Sequence, residues 1–255
     1  MVARVTPPGA RITMTTSKCS TWDCPFHRSR AEDSKVRRSN GSTDGDCGLN
    51  GIVQPVRFTK GAVLFDENQP SLNLYALQSG MVKISSHDTD GREQIVGLAH
   101  PGKLLVGLQS LTRNVYSYSA TAATPVRACR INHHALLDRA EADGAISMAL
   151  LRSMNEQLGY SRLLMRAMGH RSAEAKIAAL ILLLVPKSQR GSTEFSLPFS
   201  RREVASMLNL SEETVCRVMA RLRRDKVIQS RRGYIQIDNL EHLRLLDAAP
   251  VTVSM

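Results

Sequence analysis

Between Leu208 and Arg224 the chain reads LNLSEETVCRVMARLRR. Its apolar residues Val215, Val218, Met219 and Leu222 fall at i, i+3, i+4 and i+7, which predicts one buried stripe of an amphipathic helix. The opposite side carries Glu213, Cys216, Arg217, Ala220 and Arg224. A face that only has to be soluble is served by glutamate four residues before lysine. A carboxylate, a thiol and a guanidinium side by side can do more. Glutamate accepts a hydrogen bond from cytosine N4, and arginine forks onto guanine O6 and N7. Glu213 and Arg217 are one helical turn apart, so together they can address the two halves of one G·C pair. Such a mixed face suits base reading, whereas a purely basic one suits backbone binding. Arg221, Arg223 and Arg224, followed by Arg231 and Arg232, can neutralise phosphates. The bland alternative is a solvated amphipathic helix.

A second set of reactive side chains is the cysteines, Cys19, Cys24, Cys47, Cys129 and Cys216. An odd number at uneven spacing does not make a secreted disulfide framework, so a reducing cytoplasm is the expected compartment. Cys19, Cys24, His27 and Cys47 could hold zinc, or the three N-terminal thiols are incidental. Cys129, in ATPVRACRI, also reads as a small buried hydrophobe in a strand. No nucleophile–base pair, phosphate loop or H-E-x-x-H motif points to an enzyme.

The elements that must position these groups follow from the rest of the chain. Its 255 residues allow one large domain or two small ones, 42% are hydrophobic, and the net charge is +11. A basic balance favours a polyanionic partner such as nucleic acid or an acidic membrane surface. Residues 200–232 alone hold nine Lys/Arg against four Asp/Glu. No apolar run approaches the ~20 residues of a membrane span; ILLLV at 181–185 is too short. The N-terminus has no apolar core of a signal peptide.

Residues 1–50 are polar and lack apolar periodicity, which predicts a flexible, cysteine-containing arm. From about Gly51 to Arg139, short apolar alternations recur between glycines (Gly61, Gly80, Gly91, Gly102, Gly107), with Asp90-Gly91 as a hairpin signal. Many short strands predict an all-β roll or barrel over 51–142. From Asp143 to Met168 the period turns helical. Leu151, Met154, Leu158, Ser161, Met165 and Met168 step by three and four, the narrow seam of a coiled coil. The alternative is a helix packed on its own domain. RSAEAKIAALILLLV continues as a second helix ending before Pro186, so 143–185 is expected to hold dimerisation and connecting helices.

After the segment PKSQRGSTEFSLP, read as a loop, Ser200 and Glu203 have capping-box spacing. Asn209 can take the left-handed conformation of a tight turn, and Ser211 caps the next helix. KVIQS-RRG-YIQI reads as a hairpin turning at Gly233. Helix, turn, helix, hairpin over 196–245 is a winged helix-turn-helix. Its second helix is expected in the major groove with its N-terminal residues on base edges.

With the glycine-punctuated roll, the long seam helix, SAEAKIAAL and SEETVCRVMARL, residues from about 51 to 240 resemble the CRP/FNR family of bacterial transcription regulators. The resemblance implies an α+β chain: an N-terminal β-roll like a cyclic-nucleotide-binding jelly roll, a long dimerisation helix, and a C-terminal winged helix-turn-helix. It implies a homodimer that binds double-stranded DNA, with RNA polymerase as a further partner and no membrane. Cyclic-nucleotide-binding members carry Gly-Glu and, some ten residues on, Arg-Ser-Ala around the phosphate. Here these positions read Gly107-Leu108 and Tyr118-Ser119-Ala120, so an anionic cyclic phosphate lacks its charge partner.

The FNR branch looks more similar. Its iron–sulfur members use three N-terminal cysteines and one in the roll, which would carry a [4Fe–4S] cluster onto Cys19, Cys24, Cys47 and Cys129. The family's three lie close together, whereas here four and twenty-two residues separate them. The family's helix also reads Glu-x-x-Ser-Arg where this one has Glu213-x-x-Cys216-Arg217, and a thiol is the weaker donor. Ser161 stands where the oxygen-switched member has an aspartate, so the seam is uncharged there.

The expectation is therefore a cytoplasmic, dimeric activator-type regulator reading a TTGAT-like palindrome in response to oxygen or redox state. The DNA-facing residues would be Glu213, Cys216, Arg217, Arg221, Arg224, Arg231 and Arg232, and the dimer residues Leu151, Met154, Leu158, Ser161 and Met165. A FixK- or Dnr-like regulator without a cluster, under haem, nitric oxide or thiol control, is the alternative. A non-DNA scaffold on the same roll is the reading from a different class.

Overall fold

The computed structural model describes residues 10–12, 26, 49, 51–90, 93–101, 105–112, 114–185, 194–231 and 233–248. The chain forms two compact units, Met1–Leu158 and Gly159–Met255.

The first unit is built on strands β1 (Ala10–Ile12), β2 (Val53–Phe58), β3 (Val63–Phe65), β4 (Asn73–Ser79), β5 (Val82–His87), β6 (Glu93–Ala99), β7 (Leu105–Val106), β8 (Ser119–Ala122) and β9 (Val126–Asn132). They form one sheet in the order β1-β2-β9-β4-β7 and another in the order β3-β8-β5-β6, antiparallel throughout. Side chains alternate across a strand. Val126 and Ala128 of β9, with Tyr75 and Leu77 of β4, therefore join Val82 and Ile84 of β5 in the core between the sheets. The alternate residues Cys129 and Ile131, with Leu74 and Ala76, face the other way into a second cluster.

That outer cluster is roofed by two helices, α1 (His133–Ala142) and α2 (Gly144–Gly169), through Leu136 of α1 and Ile146, Ala149 and Leu150 of α2. The strand-like reading of residues up to Arg139 is corrected here: the chain leaves β9 at Asn132, whose side chain accepts the Ala135 N–H and caps α1. The cap satisfies one of the first helical donors, a local bond that outweighs the short apolar alternation.

The flexible reading of residues 1–50 is corrected for the parts that are described. Ala10–Ile12 pairs antiparallel with β2, and Phe26 and Leu49 are buried in the outer cluster beside Leu74, Cys129 and Ile131. Burying one such side chain contributes roughly 1.5–3 kcal/mol. Isolated anchors in a polar stretch leave no periodicity to detect.

The second unit contains the C-terminal part of α2, then α3 (Ala173–Leu184), β10 (Glu194–Ser196), α4 (Arg201–Leu208), α5 (Glu212–Arg224), β11 (Ile228–Arg231), β12 (Tyr234–Ile237) and α6 (Leu240–Ala248). Helix α3 is apolar nearly all round and accordingly buried from Ala175 to Leu184 on most positions. The hairpin of β11 and β12 turns at Gly233, whose φ of 85° a side chain would resist. PKSQRGSTEFSLP is not all loop: β10 pairs with β12 and adds a third strand to the wing. Three residues are too few to show alternation, so this pairing was not readable in advance.

Candidate nucleic-acid interface

Helix α4 begins with a complete capping box, Ser200 accepting the Glu203 N–H and Glu203 accepting the Ser200 N–H. It ends at Asn209, which takes the left-handed conformation (φ 51°, ψ 56°), and its N–H and that of Leu210 reach back to Ala205 O. Ser211 then caps α5 by accepting the Thr214 N–H at 3.1 Å. The three-residue turn lets Val204, Ala205, Met207 and Leu208 of α4 and Val215, Val218, Met219 and Leu222 of α5 all be buried.

The opposite face of α5 is open. Glu213 and Arg217 approach each other, Arg217 Nη1 to Glu213 Oε1 at 3.9 Å, with side chains 88% and 70% exposed. Cys216 lies exposed beside them as a free thiol. An exposed pair at this spacing contributes only a few tenths of a kcal/mol, so both groups remain available to a partner. Arg224, on the last turn, and Arg231, on the wing, are exposed. Arg232 lies outside the described residues.

Arg221 is differently disposed. Its guanidinium is 2.5 Å from Glu174 of α3 and 3.7 Å from Asp225. Lys176 of α3 donates to Leu208 O at the end of α4. These contacts tie α3 to both helices of the motif. Glu174 and Lys176 were not singled out in the sequence, because their partners lie about thirty to fifty positions away.

The seam residues lie on one face of α2. Leu151, Met154, Leu158 and Met165 are between 49 and 60% exposed, and Ser161 is exposed with them, whereas Ile146, Ala149, Leu150, Leu164 and Ala167 are buried on other faces. Of the cysteines in the candidate cluster only Cys129 is described; Cys19, Cys24 and Cys47 lie outside the described residues, as does His27. Cys129 is buried, and Gln78 of β4 directs its amide Nε2–H onto the sulfur at 3.0 Å.

Inside the roll, aromatic rings fill the space around Gly107. Phe65 stacks on Tyr116 at 3.7 Å between ring centroids, and Phe58 meets Tyr75 edge-on at 5.8 Å. The Tyr118 hydroxyl accepts the Gly107 N–H at 3.0 Å, and the Tyr116 hydroxyl donates to Asn73 O at 2.6 Å. A side chain at Gly107 would press on Asn73 O and the Tyr116 ring, each at 3.3 Å. Burial pushes the Tyr118 phenol up to about 12, and Tyr75 and Tyr116 upward as well. All three thus stay neutral hydrogen-bonding groups.

Residues 55–143 match the cyclic nucleotide-binding domain family, and residues 175–246 the Crp-like helix-turn-helix domain family. The transcriptional activatory protein AadR of Rhodopseudomonas palustris is 32% identical over 180 residues, 69% of this chain and 74% of that one. The chain belongs to the CRP/FNR family. The transcriptional activator protein anr of Pseudomonas aeruginosa is 28% identical over 83% of this CRP/FNR chain and 95% of its own. The structure of FixK2 from Bradyrhizobium japonicum shares the fold, with a TM-score of 0.69 at 24% identity over 78% of this chain and 99% of that one. As a CRP/FNR protein with a Crp-like helix-turn-helix, it is a DNA-binding transcription regulator. Among the described residues, no helix is long and apolar enough to cross a membrane.

Proposed function

We propose that this regulator acts as a homodimer that reads a TTGAT-like palindrome and answers to oxygen or redox state. Residues 51–142 serve as the sensory roll, 143–185 as dimerisation and connecting helices, and 196–245 as the reading domain. Glu213 and Arg217 address the G·C pair, with Cys216 beside them. Arg221, Arg224, Arg231 and Arg232 meet the backbone; Arg221 does so while braced by Glu174. The observation that carries the DNA reading is the exposed Glu213–Arg217 pair on a helix whose other face is fully buried. The half-exposed stripe of Leu151, Met154, Leu158, Ser161 and Met165 supports the dimer, since a row of large apolar residues along one helix face gains by burial against its copy. Two-fold symmetry then sets half-sites about one helical turn apart.

The sensing reading rests on where Cys129 sits. Its sulfur faces the outer cluster, in an apolar setting and with an amide N–H directed at it, surroundings of the kind that stabilise and tune an iron–sulfur centre. Phe26 and Leu49 pack into the same cluster. Cys19, Cys24 and Cys47 are the further ligands that the family resemblance implies. When bound, a [4Fe–4S] cluster would supply an oxygen-labile centre. Gly107-Leu108 and Tyr118-Ser119-Ala120 leave no cation for a cyclic phosphate, and the Gly107 N–H is already taken.

Protein purified and reconstituted without air tests this reading. It should be coloured and contain about four irons per chain, and Cys129→Ser should bleach it as fully as Cys19→Ser. Colourless, iron-free protein, or protein holding zinc, ends the cluster reading and leaves DNA binding standing, because that rests on other residues.

A further inference from the structure

Helix α2 ends at Gly169 and α3 begins at Ala173, so three residues, 170–172, join the helix bearing the seam to the helix that braces the recognition helix. Two soft dihedrals per residue would leave such a joint free to bend. One carboxylate ties the end of α2 and the start of the joint to α6, a helix that packs on α3. Asp247, in the last turn of α6, accepts from Arg166 Nη2 at 2.5 Å and from His170 Nε2 at 3.1 Å. A carboxylate only accepts, so His170 donates from Nε2. Arg166 belongs to the last turns of α2, and His170 lies within the joint, buried at 6% exposure. The Asp247 side chain is 16% exposed. A carboxylate this far from solvent costs free energy unless its acceptors are used, so both contacts favour one setting of the joint.

The surroundings of this contact bear on reading. Met165, immediately before Arg166, is the most C-terminal of the exposed seam residues named above. Beyond the joint, α3 holds Arg221 of α5 through Glu174 and the end of α4 through Lys176. Within the second unit, the end of the seam helix is thus held to α6, α6 packs on α3, and α3 is bonded to both helices of the reading motif. We infer that Asp247, through Arg166 and His170, is a positioning residue that fixes the distance of each recognition helix from the dimer axis, and so sets the half-site spacing the protein accepts. This rests on the dimer and palindrome proposed above.

The test is a spacing profile. Affinities of wild type, Asp247→Asn and Arg166→Gln are measured on a palindrome and on the same palindrome with one base pair added between the half-sites, which turns one half by roughly a tenth of a helical turn. Wild type should prefer the original spacing. In Asp247→Asn the ratio of the two affinities should fall by roughly tenfold, the scale of one charge-assisted hydrogen bond, with salt slope and base preference unchanged. Arg166→Gln, an exposed change that spares folding, should shift the ratio the same way by less, and should add little in the Asp247→Asn background. Equal weakening on both operators, or an unchanged ratio in either folded variant, overturns the positioning role. A wild type indifferent to spacing brings down the palindrome reading and the inference with it.

Discussion

At Gly107 in the roll, the backbone N–H that could receive a ligand is met at 3.0 Å by the phenol of Tyr118, and stacked rings occupy the space beside it. On α5 the reverse holds: Glu213 and Arg217 stand more than two-thirds exposed, loosely paired at 3.9 Å. Both regions keep the backbone of their families. Around Gly107, the polar groups are spent on the protein itself. On α5 they are held by helix geometry and left for a partner. A matched domain family therefore identifies a backbone, while the disposition of a few side chains decides whether it still has an open site.

The largest change should come from the seam. Leu158→Glu would set like charges against each other at the dimer axis, and sedimentation should show monomers without measurable operator binding. An intact dimer would move the interface off this face of α2.

Arg217→Ala should cost about 1–3 kcal/mol at the guanine position and relax discrimination there, read by competition among operators altered at single positions. The matching change in the roll, Tyr118→Phe, should behave oppositely. It leaves the Gly107 N–H buried and unsatisfied, at about 1–3 kcal/mol of folding stability, with base preference untouched. The phenol also has a pH signature. Its pKa is raised in the fold from 10.0 to about 12, so the stability it contributes is complete below pH 10 and is lost as pH climbs toward 12. Melting temperatures followed through that window should fall less steeply in Tyr118→Phe than in wild type. A Tyr118→Phe protein with changed operator discrimination would dissolve the contrast between the two regions.

The smallest effect is expected at Arg224. Its removal should weaken all sequences alike and lower the slope of log affinity against log salt by about one. A sequence-selective loss would mean that Arg224 reads bases as well.

Local patterns carried the winged helix-turn-helix because each of its signals is short-ranged: the capping box at Ser200 and Glu203, the left-handed Asn209, the cap at Ser211, and Gly233 at the hairpin turn. Helical periodicity by itself put Glu213 and Arg217 on one exposed face and drew an exposed apolar stripe along α2. What the tertiary structure alone decided are contacts between residues distant in the chain. It set Phe26 and Leu49 against Cys129, closed Tyr118 onto Gly107, drew Arg221 to Glu174, and joined Asp247 to an arginine 81 positions earlier. No periodicity announces such pairs, since each depends on where whole elements come to rest. A helix or a turn is governed by bonds within about four residues, so its side-chain directions can be read from sequence. The partner a buried or half-buried polar group finds depends on packing, which becomes definite only when the chain is folded.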